Sequence, residues 1–284
     1  MLCTQSCHYN ASWAQLETQN YLFMHTRFTP LALANLLGFA AMLTVNALSN
    51  SLPLNGKTPG QLSDQYPNLF VPAGLTFAIW GIIYLVLIGW VLGQTLGLFS
   101  QAQRARTAAS VENVGWWFVA TCVLNVAWLF AWHWEQIGLS LVVMVGLLAT
   151  LVTLNEKTLN GRAKVSLFEK RLAHPAFGLY QGWITVALIA NVTALLVASD
   201  WQGFGIPESV WATVLIAIGT GLAVFMVLSR NMIFHGVAVA WALLGIYLKR
   251  NAAGDAAVVE YTALVGMIVV LGAVGMRLRR WWGY

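Results

Sequence analysis

Eight stretches of this chain stay apolar long enough to cross a bilayer as helices, at about residues 31–52, 73–97, 114–132, 137–154, 176–198, 209–228, 232–248 and 258–276. The seventh is the shortest. The apolar residues run continuously, with Gly and Ala scattered among them, and no acidic residue sits near the centre of a stretch. Membrane strands would instead alternate between apolar and polar positions, so the pattern predicts α-helices and argues against a β-barrel. The expected fold class is therefore all-α, a polytopic integral membrane helical bundle of about eight spans. Composition agrees. Hydrophobic residues make up 59% of the chain and charged residues 9%, and its mean hydropathy is +0.70, whereas soluble domains are about a quarter charged.

Charge sets the expected orientation. With eight spans, the N-terminus, the loops after spans two, four and six, and the C-terminus share one side. That side holds Arg27, Arg104, Arg106, Lys157, Arg162, Lys164, Lys170, Arg171, Arg230, Arg277, Arg279 and Arg280, against Lys57, Lys249 and Arg250 on the other. Basic residues accumulate on the cytoplasmic side of membrane proteins, so both termini are expected there, in a bacterial inner membrane. The net charge of +5 is thus a topology signal, and nucleic acid is not an expected partner. The loop of about 53–71, with Pro53, Pro59 and Pro67, falls on the opposite side and is too long for a simple turn. It reads equally as a lid over the bundle or as an unstructured connection.

Residues 1–30 form a polar tail without the order of a signal peptide, and Met24 offers a second start just ahead of Arg27. Cys3, Cys7 and His8 fall short of a four-ligand metal set, and Cys122 reads as a small packing residue, so no metal site is expected. The C-terminal run from Arg277 to Tyr284 mixes basic and aromatic residues, as interfacial anchors do.

Inside three of the spans lie stripes of aromatic and amide residues: Phe77-x-x-Trp80-x-x-x-Tyr84, Leu124-Asn125-x-x-Trp128, and Tyr180-x-x-Trp183 followed eight residues later by Asn191. Helical spacing puts the members of each stripe on one face. Asn46 and Asn50, one turn apart, give the first span such a face too. Lipid offers amides and indoles no hydrogen bonds, so these faces turn toward other helices or a cavity. The sequence leaves two outcomes open. Either the rings wall a pocket, with Asn46, Tyr84, Asn125, Tyr180 and Asn191 as polar fixtures, or rings and amides only fasten helices together.

The run from Val71 to Tyr84 resembles the Pro-Pro-Gly-Trp-x-Phe…Trp-x-x-x-Tyr segment that opens the second helix of the TspO/MBR family, the tryptophan-rich sensory proteins and the mitochondrial translocator protein. Leu124-Asn125-x-x-Trp128 resembles that family's third-helix motif, and Tyr180-x-x-Trp183…Asn191 its fifth. The resemblance covers about residues 31–198, with departures at Ala73, Leu75 and Leu179 and a shortened Gly-to-Trp interval. It implies a five-helix core over 31–198, preceded by the 1–30 tail and followed by three additional helices and the basic-aromatic terminus over 199–284. It also implies a receptor, sensor or carrier for planar hydrophobic ligands, tetrapyrroles such as protoporphyrin or haem and in some members sterols, bound by Trp80, Tyr84, Asn125, Trp128, Tyr180, Trp183, Asn191 and Asn46. No resident cofactor follows; a tetrapyrrole would be the ligand. The expected partners are the bilayer, a hydrophobic small molecule and, in some settings, a second copy of the chain as a homodimer.

An enzyme is not expected. The spans contain no paired carboxylates, no His-x-x-x-His and no Gly-rich phosphate loop, and His174, His235 and Glu260 stand alone. The alternative function is a structural or regulatory membrane protein acting through protein partners, with the last three spans as its interface.

Overall fold

The computed structural model describes residues 4–52, 54–159 and 167–282, apart from the side chains of residues 4–26, 169 and 280–282. The Cys3, Cys7 and His8 side chains lie outside that description. All regular structure among the described residues is helical. The spanning helices are α1 (Thr4–Ser51), α3 (Ile79–Leu96, entered through a 3-10 turn at Gly74–Ala78), α5 (Trp117–His133), α6 (Ile137–Leu159), α7 (His174–Ala198), α8 (Glu208–Arg230), α9 (Ile233–Ala253) and α10 (Ala257–Trp282). Two further helices, α2 (Pro59–Asp64) and α4 (Gln101–Val114), lie between spans. The polytopic helical bundle expected from the sequence is therefore what the chain forms.

Three details differ from the sequence reading. Residues ahead of the first span are helical from Thr4, continuing into α1 as one element with Pro30 inside it. The stretch after the second span is not a loop. It is α4, capped by the Ser100 side chain and rich in helix-forming Gln, Ala and Arg. Its polarity hid it from a search for apolar runs. At Gly115, whose φ of 53° suits a residue without a Cβ, the chain turns 60° into α5. The third span is consequently α5 itself, only 17 residues long, with α4 bent away from it.

The helices form two groups. In the first, α1 packs on α3, α4 and α5, α5 on α6, α6 on α7, and α7 on α3. In the second, α10 packs on α8 and α9. The groups meet along α7 and α9. Every residue from Pro175 to Val186 in α7 is buried, as expected of a helix apolar on all sides. The seventh span, the shortest by its pattern, becomes the 21-residue α9 and is the most enclosed of the long apolar helices, 61% buried over its most apolar stretch.

Gly178 and Gly182 make the α7–α9 contact possible. A Cβ on Gly182 would lie 2.5 Å from the His235 carbonyl oxygen and 2.9 Å from the Ala238 Cβ, and one on Gly178 would lie 2.9 Å from the Phe234 Cβ. Lipid supplies no hydrophobic drive between helices, so close backbone approach over small residues is what binds them. His235 sits in this seam with Nε2 3.2 Å from the Thr185 hydroxyl.

At one end of the bundle, ion pairs join the loops after spans one, three and seven, Lys57 to Glu135 at 2.7 Å and Asp64 to Lys249 at 3.2 Å. Leu69 N–H donates to Glu208 at 2.6 Å, bringing in the start of α8. At the other end Arg230 pairs with Glu156 at 3.0 Å. These contacts place the odd-numbered loops together and the loops after spans four and six together, as eight crossings require.

Candidate functional site

The three aromatic stripes converge. From α3, Trp80 stacks on Tyr84 (5.4 Å between centroids) and meets Tyr180 (5.6 Å) and Trp183 (6.4 Å) of α7 edge-on. Phe77 packs edge-on against Trp183 at 5.7 Å. From α5, Trp128 stacks on Trp132 at 5.9 Å. Edge-to-face and offset stacks are the favoured arrangements of aromatic quadrupoles, so the rings hold one another as well as the helices.

Between these rings lies a cavity of about 50 Å³, walled by Phe77, Trp80, Trp128, Trp132, Trp183 and Asn191, with Met144 of α6 and Val186, Ala187 and Ala190 of α7 completing it. Pro59, Ser63 and Pro72 of the first loop close it from above. Of the residues expected at a pocket, Trp80, Trp128, Trp183 and Asn191 line this space. Asn46, Tyr84, Asn125 and Tyr180 do not; no residue of α1 reaches it, and α6 and the loop take that place.

Three of those four form a buried polar chain instead. Asn46 Nδ2 donates to Asn125 Oδ1 at 2.7 Å, and Asn125 Nδ2 donates to the Tyr180 hydroxyl at 2.9 Å, tying α1, α5 and α7 together. The fourth, Tyr84, keeps its ring in the aromatic layer while its hydroxyl finds no hydrogen-bond partner among the described residues. Closer to the cavity, the Trp128 indole N–H donates to Asn191 Oδ1 at 3.1 Å, and Asn191 Nδ2 donates to the Ser140 hydroxyl at 3.0 Å. In hydrocarbon such groups must find partners inside the bundle, and here nearly all do. Rings make up most of the cavity's wall, and the Asn46–Asn125–Tyr180 hydrogen-bonded layer lies outside it.

The loop above is an ordered cover. Its helix α2 begins in a capping box, Thr58 with Gln61, with Pro59 at the first turn. Leu62 is buried beside Trp132, Ile137 and Ala194, and the Trp132 indole N–H donates to the Pro59 carbonyl at 3.4 Å. Asn55 Nδ2 donates to the His133 carbonyl at 2.9 Å. Tyr66 rests on Trp132 at 6.0 Å, and burial pushes its phenol pKa up, with the Glu135 carboxylate adding to the rise and Lys57 opposing it.

The second helix group moors the mouth of the site. Ala73 N–H donates to the Gly245 carbonyl at 3.0 Å, and the Trp241 indole N–H donates to the Thr76 carbonyl at 2.8 Å. Gly245 packs directly on the Thr76 side chain. Thus α9 fixes the 3-10 turn that carries Phe77, although neither Trp241 nor His235 lines the cavity.

With this geometry in view, the comparison with known families is decisive. A family model described as TSPO-like protein matches residues 32–276. The chain belongs to the TSPO-like protein family. No curated protein and no solved structure matches it. The family match continues past residue 198 through α8 and α9 and most of α10, so these helices fall within the stretch that defines this TSPO-like protein, beyond the 31–198 reach of the motif resemblance.

Some site features were missed in the sequence. Trp132 follows Trp128 by four residues, a spacing that puts both rings on one face. Trp90 is fully buried between Phe118 (4.9 Å) and Phe177 (5.0 Å), forming a second aromatic layer toward the other end of the bundle. Leu75, where the resemblance expects a Trp, is 70% exposed and outside the cavity.

Proposed function

We propose that this TSPO-like protein is a membrane receptor or carrier, without catalytic activity of its own, that binds a planar hydrophobic molecule of the tetrapyrrole class between Trp80, Trp128 and Trp183. One observation carries the reading: four indoles from three helices, with the Asn191 amide, surround a single cavity under an ordered loop. Indole faces stack on flat π-systems, and an amide can orient a polar substituent. At about 50 Å³ the cavity is a closed form, since small-molecule pockets run to roughly 300–1,000 Å³. Binding requires the loop to lift and the rings to part. Leu75 stands where the resembled motif has a Trp, so the ligand preference is expected to differ from that of members with Trp there.

Titration of purified protein in nanodiscs with protoporphyrin, haem and a sterol, followed by tryptophan fluorescence, tests the proposal. Saturable quenching is expected for a tetrapyrrole. Trp183→Ala should weaken it by about 1–3 kcal/mol through lost ring contact. Trp134→Ala should leave it unchanged, because Trp134 is 50% exposed and outside the cavity. Equal binding by both variants removes the site.

A second reading, that the stripes only pack helices and the protein acts through protein partners, is favoured by the closed Asn46–Asn125–Tyr180 chain. Absence of saturable binding by any planar ligand would select it.

We also propose a bacterial inner membrane with both termini cytoplasmic, on the strength of the basic residues. In a variant lacking Cys3 and Cys7, an impermeant maleimide added outside should label Gln65→Cys and spare Ser229→Cys. The reverse pattern inverts the orientation.

A further inference from the structure

A larger space lies away from the aromatic cavity. Beyond the last turns of α7, the 199–207 turn, the first turns of α8 and the segment Pro67–Phe70 enclose a groove of about 520 Å³. It arises because α8 packs chiefly on α10 and α9 and touches α7 little. Its size falls within the range of small-molecule sites. It shares no lining residue with the aromatic cavity.

The groove is amphipathic and carries one sign of charge. Glu208 is its single ionisable lining residue, and no Lys, Arg or His lines it. Glu208 Oε1 accepts from Leu69 N–H at 2.6 Å, which fixes the carboxylate, while its other oxygen has no hydrogen bond and the group is in no ion pair among the described residues. Beside it, Trp201 lies 5.2 Å from Trp211 and 5.4 Å from Phe204. The Trp211 indole N–H donates to the Gly203 carbonyl at 3.1 Å and so holds the turn in place.

Phe204 has φ 56°, a left-handed conformation that is costly for a bulky L-residue, and strain of this kind concentrates where a ligand or partner is held. The apolar half of the groove, with Val192, Leu196 and Leu215, continues onto the exposed α8 side chains Val214 and Ile218. A belt of interfacial aromatics alone would need neither the enclosed volume nor a carboxylate.

We propose that this groove seats a membrane lipid whose head group ends in an ammonium, with the ammonium between Glu208 and the Trp201–Trp211 rings and an acyl chain along Leu196 and Leu215. A carboxylate with a spare acceptor oxygen gives the ammonium a charge-assisted hydrogen bond, and indole faces add cation–π attraction. A head group that is only anionic meets a like charge and no compensating cation.

Native mass spectrometry of the detergent-purified chain, incubated with dioleoyl phosphatidylethanolamine or dioleoyl phosphatidylglycerol, tests this. The wild-type chain should retain the ethanolamine lipid in preference. Glu208→Gln keeps an oxygen to accept the Leu69 N–H and removes only the charge, so it should weaken that lipid by about tenfold and leave the glycerol lipid unchanged or tighter. Leu196→Trp, which fills the apolar half, should reduce retention without touching the carboxylate, and covers the case in which Glu208→Gln fails to fold. Equal retention of both lipids by the wild-type chain, or undiminished retention of the ethanolamine lipid by either folded variant, overturns the proposal.

Discussion

Helix α7 is held on two sides by opposite means. Toward α3 and α5 it presents large rings and amides, Tyr180, Trp183 and Asn191, which reach across to partners through side chains. Toward α9 it presents Gly178 and Gly182, and the contact is made by backbone. The first kind of contact leaves gaps between rings that can be reshaped, and the cavity lies there. The second leaves little room at Gly182, where even a Cβ would lie 2.5 Å from the His235 carbonyl oxygen. A membrane protein that must both open for a guest and keep its shape can divide the two tasks between faces of one helix, because packing bistability resides in side-chain layers and close backbone seams resist strain.

The largest effect should come from closing the glycine seam. Gly182→Leu forces a branched side chain to where even a Cβ would sit 2.5 Å from the His235 carbonyl oxygen. The expected cost is about 3 kcal/mol, at the upper end for overpacking, read as a lowered midpoint of thermal unfolding in detergent. Gly221→Leu is the control, since nothing lies within 4 Å of a Cβ there. Similar midpoints for the two variants would deny the seam its special role.

An intermediate effect is expected from the polar layer. Asn125→Leu removes both hydrogen bonds that join α1 to α7 through α5. Asn46 Nδ2 keeps the Met42 carbonyl as partner, and Tyr180 retains only a 4.0 Å contact to the Met42 sulfur. Interhelical hydrogen bonds in membranes are worth roughly 0.6–2 kcal/mol, so destabilisation of about 1–2 kcal/mol should follow. The rings above the layer would remain, so tetrapyrrole affinity should fall less than in Trp183→Ala. A larger loss of affinity than of stability would instead place Asn125 in contact with the guest.

These two sides also differ in how openly the sequence announces them. Apolar runs marked all eight spanning helices, with the fourth and seventh ending five residues early, because a bilayer imposes length and hydropathy directly. The aromatic stripes marked helices that do meet at the cavity, since Trp and Asn at helical spacing are conspicuous in an apolar run. They did not tell the wall from the layer outside it: Asn191 lines the cavity and Asn125 does not, a distinction set by helix rotation and depth. The α7–α9 seam was nearly invisible, because Gly178 and Gly182 look like any scattered small residues until the partner helix is known. The α7–α8 groove was beyond reach for a related reason. Its walls come from Pro67–Phe70, the 199–207 turn and two helix ends, which share no period that a pattern could detect.

The smallest effect on stability, and the sharpest on kinetics, is expected at the cover. Lys57 pairs with Glu135 at 2.7 Å and donates to Gln65 Oε1 at 3.0 Å, with side chains 34% and 41% exposed in the ion pair. Exposed pairs of this kind contribute about 0–1 kcal/mol, so Lys57→Gln should barely move the unfolding midpoint. The pair nevertheless joins the loop above the cavity to the turn between α5 and α6, and on the proposed function a guest entering through the loop would part them. Stopped-flow quenching by protoporphyrin should therefore show a faster association rate in Lys57→Gln with little change in equilibrium affinity. High salt should speed the wild-type chain in the same direction, since screening weakens a half-exposed pair. An unchanged rate in both experiments would mean that the guest reaches the rings by another route, between helices from the bilayer, and that the loop is a fixed roof.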